Sequence, residues 1–147
     1  MYRRATRIAA VFTLVAAAGV VVSGDAQGKI MTEVQPMKMA AAEALYDSVP
    51  AGVGAPFSVL TVGSLDGSHA NAIIEIPGLL SFLATGDFKG AVKGINDLKA
   101  EYAQAYGASG NPRVADTATA YVPNIPTTYW SFRLMIGLGM ATALIAL

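Results

Sequence analysis

Residues 8–23 contain no charged side chain, and including residues 5–7 gives a stretch that as a helix would reach ~28 Å. That nearly crosses the hydrocarbon core of a bilayer. A second apolar run, residues 134–147, is shorter than the ~20 residues a span needs, and the chain stops inside it without a polar flank. It is expected to be the truncated start of a second transmembrane helix. The composition agrees, since 54% of residues are hydrophobic and only 14% charged, against roughly 25% charged in soluble domains.

Charge divides the chain in three. Residues 1–23 carry Arg3, Arg4 and Arg7 and no acid, residues 24–128 hold all ten acids, and residues 129–147 carry Arg133 alone. Arginines before the apolar run and net-negative sequence after it put the N-terminus in the cytoplasm and the middle outside it. The expected organisation is therefore a transmembrane helix at 1–23, an extracytoplasmic loop at 24–128 and a truncated second helix at 129–147. The same start also reads as a secretory signal peptide, with cleavage after Val21-Val22-Ser23 or Gly24-Asp25-Ala26, which would release an exported non-catalytic binding or structural domain. Residues 1–30 alone favour that alternative. Both readings place the middle outside the cytoplasm.

A formal net charge of zero gives no field to collect nucleic acid. The absence of cysteine excludes disulfides, thiolate metal sites and thiol nucleophiles. The single histidine, His69, excludes a multi-histidine metal cage and lies in a polar loop without ligand spacing. A hydrolase using it lacks a Gly-x-Ser-x-Gly elbow, so a solvated loop histidine is the stronger reading.

Within the middle segment, residues 34–46 are rich in helix formers, with Pro36 tolerable only in the first turn. Lys38 and Glu43, five residues apart, should point about 140° apart around that helix, with Met37, Ala41, Ala44 and Leu45 turned inward. Residues 50–56 are a turn-rich linker. Residues 57–62 and 72–76 suit strands of a small hairpin, marginal in isolation, and residues 79–83 suit a short turn or helix. Val92, Ile95, Leu98 and Tyr102 form an apolar helical stripe ending near Gly107. Residues 108–128 read as extended coil, and Thr127 or Thr128 as the cap of a last helix opening with Tyr129 and Trp130, which suit the membrane interface. Arg133 beside an apolar run would ordinarily snorkel, and Met135 would ordinarily face lipid or a core.

Three segments in order, Gly24-Asp25-Ala26-Gln27-Gly28, then Glu33-Val34-Gln35-Pro36-Met37-Lys38-Met39-Ala40-Ala41-Ala42-Glu43, then Tyr129-Trp130-Ser131-Phe132-Arg133-Leu134-Met135, resemble cytochrome bd quinol oxidase subunit I. The resemblance covers almost the whole chain and implies a mainly α membrane protein fragment: a transmembrane helix, the periplasmic quinol-binding Q-loop, and the start of the next helix. It reassigns the apparent signal peptide to the helix before the Q-loop. It further implies a bacterial plasma-membrane location, quinol as substrate and subunit II as partner. The residues it picks out are Lys38 and Glu43 for quinol binding and oxidation, Met135 as an axial ligand of the low-spin b haem, and Arg133 beside that haem. The family's histidine partner of Met135 and its ligands for high-spin haem b and haem d have no counterparts here, so this portion by itself is expected to be inactive in oxygen reduction.

Overall fold

The first helix owes its length to the position of its nearest helix breaker. Nothing before Gln35 interrupts helical geometry, whereas Pro36 disfavours the α conformation at the residue preceding it. In a computed structural model, which describes residues 2–63, 70–106 and 121–147, α1 (Tyr2–Val34) accordingly runs for 33 residues, straight through Gly24 and Asp25. The expected boundary at residue 23 is a change of composition within a continuous helix. At ~1.5 Å per residue α1 is ~50 Å long, so about 20 Å extends past a bilayer core of ~30 Å. That extension bears the Lys29–Asp25 ion pair, 2.6 Å, and sets Lys29 over the Phe82 ring.

Gln35 is non-helical, and Pro36 starts α2 (Pro36–Glu43), shorter than the 34–46 stretch suggests. This helix closes with Leu45 N–H donating to the Ala40 carbonyl and Ala44 N–H to that of Ala41, a Schellman pattern with Ala44 at φ +51° where glycine is usual. Burial is wider than the predicted inward stripe, because α2 packs on two sides. Met37, Ala40 and Ala41 meet Ile95, Leu98 and Ile125, while Met39 meets Ala55, Leu80, Ala84 and Val92. Ala44 and Leu45, expected inside, are partly buried at the rims of these clusters.

The hairpin is present as β1 (Phe57–Gly63) and β2 (Ala70–Ile76), antiparallel. Its register shifts between Ser58 and Leu60 and again between Leu60 and Thr61. Regular alternation would send Ser58 and Thr61 to opposite faces, but the irregularity lets both be buried. Next comes α3 (Leu79–Thr85), with Ser81 fully buried. Its hydroxyl accepts from Ala55 N–H and donates to the Gly90 carbonyl, both 2.7 Å, tying two loops together. Val92 precedes α4 (Ile95–Tyr106) and bridges to Val49 rather than continuing the helical stripe. Between them Gly94 is compressed against the 46–48 backbone, where a Cβ would collide with the Asp47 carbonyl carbon.

The last helix, α5 (Ile125–Ala146), starts earlier than expected because Asn124 caps it: its Oδ1 accepts from Thr127 N–H at 3.0 Å and Pro126 fits the first turn. Thr128 instead donates its hydroxyl to the Asn124 carbonyl. At 22 residues, α5 joins α1 as a second helix long and apolar enough to cross a membrane. The two lie against each other, with large apolar side chains such as Phe12, Val15, Leu134 and Leu138 exposed. The chain is thus mainly helical, with two candidate spans and a two-stranded sheet. His69, the stop at Gly107 and residues 108–120 of the expected coil lie outside the described residues.

Candidate functional site

Glu43 ends α2 at the point where that helix meets the first turns of α5. Its side chain is 1% exposed and faces Arg133, itself 9% exposed. Arg133 Nη2 donates to Glu43 Oε2 at 2.6 Å and Nη1 donates to Oε1 at 3.4 Å, a two-pronged pairing that suits guanidinium and carboxylate geometry. Nη2 also donates to the Ser58 carbonyl. The guanidinium carbon lies 4.2 Å from the Phe57 ring centre and 4.8 Å from that of Tyr129, within cation–π range. One cation therefore fastens α2, β1 and α5 together.

Taking Glu43 out of water pushes its carboxyl above the usual carboxylate range, although Arg133 pulls the other way through a hydrogen bond and its charge. The arrangement is a carboxyl held in one orientation by both terminal nitrogens of a single guanidinium. Arg133 Nε is buried and has no hydrogen-bond partner among the described residues.

The other predicted residues lie apart from this pair. Lys38 is exposed one turn before Glu43, as their angular separation requires, and its ammonium has no side-chain partner among the described residues. Met135 is 60% exposed on α5. Two residues from Arg133, it projects about 160° away around the helix axis. Tyr129, expected at the membrane interface with Trp130, is instead 3% exposed and turned toward Ser58, whereas Trp130 remains 45% exposed.

Sequence reasoning missed the partnership of Glu43 with Arg133, which are 90 residues apart. It also missed Phe57, Ser58, Thr61 and Tyr129 around them. A hydroxyl at both buried positions of an otherwise apolar strand was the available signal. Two clefts open nearby. The larger, 230 Å³, lies at the α1–α2 junction beside Glu33, Pro36 and Lys93, and includes none of the predicted residues. The smaller, 130 Å³, is lined by Glu43, Ser58, Thr61 and Glu75 among others.

The sequence pattern of the family described as cytochrome bd terminal oxidase subunit I matches residues 1–147. The chain belongs to this family. It is 35% identical over 146 residues to the cytochrome bd ubiquinol oxidase subunit 1 of Bacillus subtilis (strain 168), covering 99% of this chain and 29% of that protein. It is 28% identical to the cytochrome bd-II ubiquinol oxidase subunit 1 of Escherichia coli (strain K12), covering 98% of this chain and 37% of the relative. Among solved structures, the bd oxidase from Geobacillus thermodenitrificans shares the fold at a TM-score of 0.55 and 23% identity, over 99% of this chain and 36% of that one. The chain thus spans about a third of the length of these relatives, and family membership agrees with the resemblance carried by its three motifs.

Proposed function

We propose that this chain forms the quinol-oxidising loop and one haem-bearing helix of a bacterial membrane quinol:oxygen oxidoreductase. The carrying observation is that Glu43, the resemblance's quinol-site carboxylate, is buried in an ion pair with Arg133 on the same helix as Met135. In this reading residues 1–23 cross the membrane from a cytoplasmic N-terminus, residues 24–128 form the extracytoplasmic Q-loop, and residues 129–147 enter the membrane again. Family membership, and the continuity of α1 through Ser23, favour it over release of an exported domain at that point.

Quinol oxidation gives up two electrons and two protons. Glu43, with its proton affinity increased by burial, is suited to take a proton from the quinol hydroxyl. Arg133 holds the carboxylate in place, and exposed Lys38 is free to turn toward the quinol oxygen and donate a hydrogen bond. A low-spin b haem, when bound, supplies one-electron redox chemistry. This chain fits one side of such a group, because Met135 presents an exposed thioether, a ligand type known for b- and c-type cytochromes. In this reading the other axial ligand and the other haem sites come from the rest of the oxidase. Subunit II is the expected partner.

The test is turnover of the assembled oxidase carrying this sequence. Glu43→Gln should slow quinol oxidation at least tenfold with haem content intact. Turnover equal to wild type would remove Glu43 from proton transfer.

A further inference from the structure

Glu43 is too deeply buried to hand a proton directly to solvent, and Arg133 covers the side of its carboxylate facing α5. The 130 Å³ cleft opens elsewhere on it. Ser58 and Thr61 from β1 and Ala72 and Glu75 from β2 line this cleft, with Glu75 exposed at its outer side. Glu75 pairs with Ser58 across the ladder, so the register that buries Ser58 beside Glu43 also fixes where the second carboxylate stands.

A second observation marks the cleft as polar space. Thr61 is 5% exposed, yet among the described residues no partner of its Oγ1 meets hydrogen-bond geometry. The nearby Tyr129 hydroxyl makes its own long contact, 3.5 Å, to the Ser58 carbonyl. A buried hydroxyl without a partner is costly unless water meets it, and at ~30 Å³ per molecule the cleft holds about four waters.

We propose that Glu75 is the outer end of a proton exit, carrying protons from Glu43 through water held by Ser58 and Thr61 to the medium. This rests on the reading of Glu43 as proton acceptor. The balance is simple. Each quinol oxidised would give up two electrons, one at a time, to a one-electron acceptor of the assembled oxidase that is reoxidised between them, and two protons, in turn, to a Glu43 carboxylate oxygen. Each proton then passes to cleft water while another leaves that file for Glu75 and external water, restoring the Glu43 carboxylate. The charged or titratable groups facing Glu43 are Arg133 from α5 and Glu75 across the cleft from β2, with Tyr129 reaching the intervening Ser58.

Because Glu75 acts through Glu43, it is a positioning and relay residue rather than a catalytic one. The assembled oxidase in lipid nanodiscs, fed a short-chain ubiquinol, tests this. Glu75→Gln should lower kcat five- to tenfold with KM and the reduced haem spectrum unchanged. Formate, a small diffusible proton carrier, should restore at least half of the loss, and Glu75→Asp should retain most of wild-type kcat. Thr61→Val, which exchanges the hydroxyl for a methyl of similar size, should lower kcat two- to fivefold and serves as the deciding variant if Glu75→Gln does not assemble. Wild-type kcat in Glu75→Gln, or in Thr61→Val when it decides, overturns the exit while a slowed Glu43→Gln leaves the underlying reading intact. A Glu75→Gln defect that appears in KM or resists formate also overturns it. Wild-type turnover in Glu43→Gln overturns the reading of the acceptor itself.

Discussion

Replacing Arg133 with methionine leaves Glu43 buried beside a thioether, and the cost depends on the two escapes open to it. Remaining ionised with a side chain 1% exposed forfeits the whole pairing, a loss of ~3–5 kcal/mol for breaking a buried ion pair. The alternative is to accept a proton at pH 7, which costs ~1.36 kcal/mol for each unit above an unperturbed carboxylate value of ~4.3, about 3.7 kcal/mol in all. The cheaper route sets the ceiling, so Arg133→Met should destabilise by ~3–4 kcal/mol at pH 7 and by only ~1 kcal/mol at pH 5. The sign comes from Glu43 binding its proton more tightly folded than unfolded: its contribution is fully present below the ordinary carboxylate range and is lost as pH rises through the raised folded value. Removing Arg133 moves that upper limit higher. Glu43→Gln abolishes the slope, and the double variant Glu43→Gln/Arg133→Met should be more stable at pH 7 than Arg133→Met alone, with a coupling of ~2 kcal/mol or more. Urea titration in detergent, followed through Trp130, the chain's single tryptophan, three residues from the pair, supplies the measurement. A loss in Arg133→Met that is under 1 kcal/mol, or that does not change between pH 5 and pH 7, refutes the reasoning.

Two further outcomes are expected. Ala44→Gly should stabilise the protein by ~0.5–1 kcal/mol, because alanine there is held at φ +51° at the end of α2; parallel urea curves check it, and a midpoint below wild type would show that Ala44 contributes packing outweighing its backbone strain. Met135→Leu in the assembled oxidase should abolish or strongly shift the reduced low-spin b absorption, and an unaltered spectrum would take Met135 out of the ligand set.

Elements whose formation depends on local rules were legible in the sequence. The Pro36 break, the hairpin strands and the body of α4 arise from φ restriction, β-branched content and helical spacing. Asn124, one turn before Thr127 and Thr128, is a cap residue type equally readable from the sequence. The angular argument for Lys38 and Glu43 also held, since one is exposed and the other buried. Periodicity could not reveal what Glu43 faces. Its partner arrives from α5 after an intervening hairpin, and the two buried hydroxyls of β1 depend on an irregular register that no alternation rule anticipates. Arg133 read from sequence as a cation that would ordinarily snorkel; its pairing with an anion of this chain is a matter of tertiary packing.

The unbroken length of α1 joins loop chemistry to the mechanics of the lipid. Its upper turns are packed against α2 and α3, so a helix that leans to match a thinner bilayer must swing its protruding 20 Å like a lever, by about 7 Å at the tip for a 20° lean. The loop elements seated on those turns would be carried with it, and the clamp to α5 would take the strain. On the proposed topology, acyl-chain length is expected to change how far Glu43 and Arg133 are pulled from registration, independent of any change to the polypeptide.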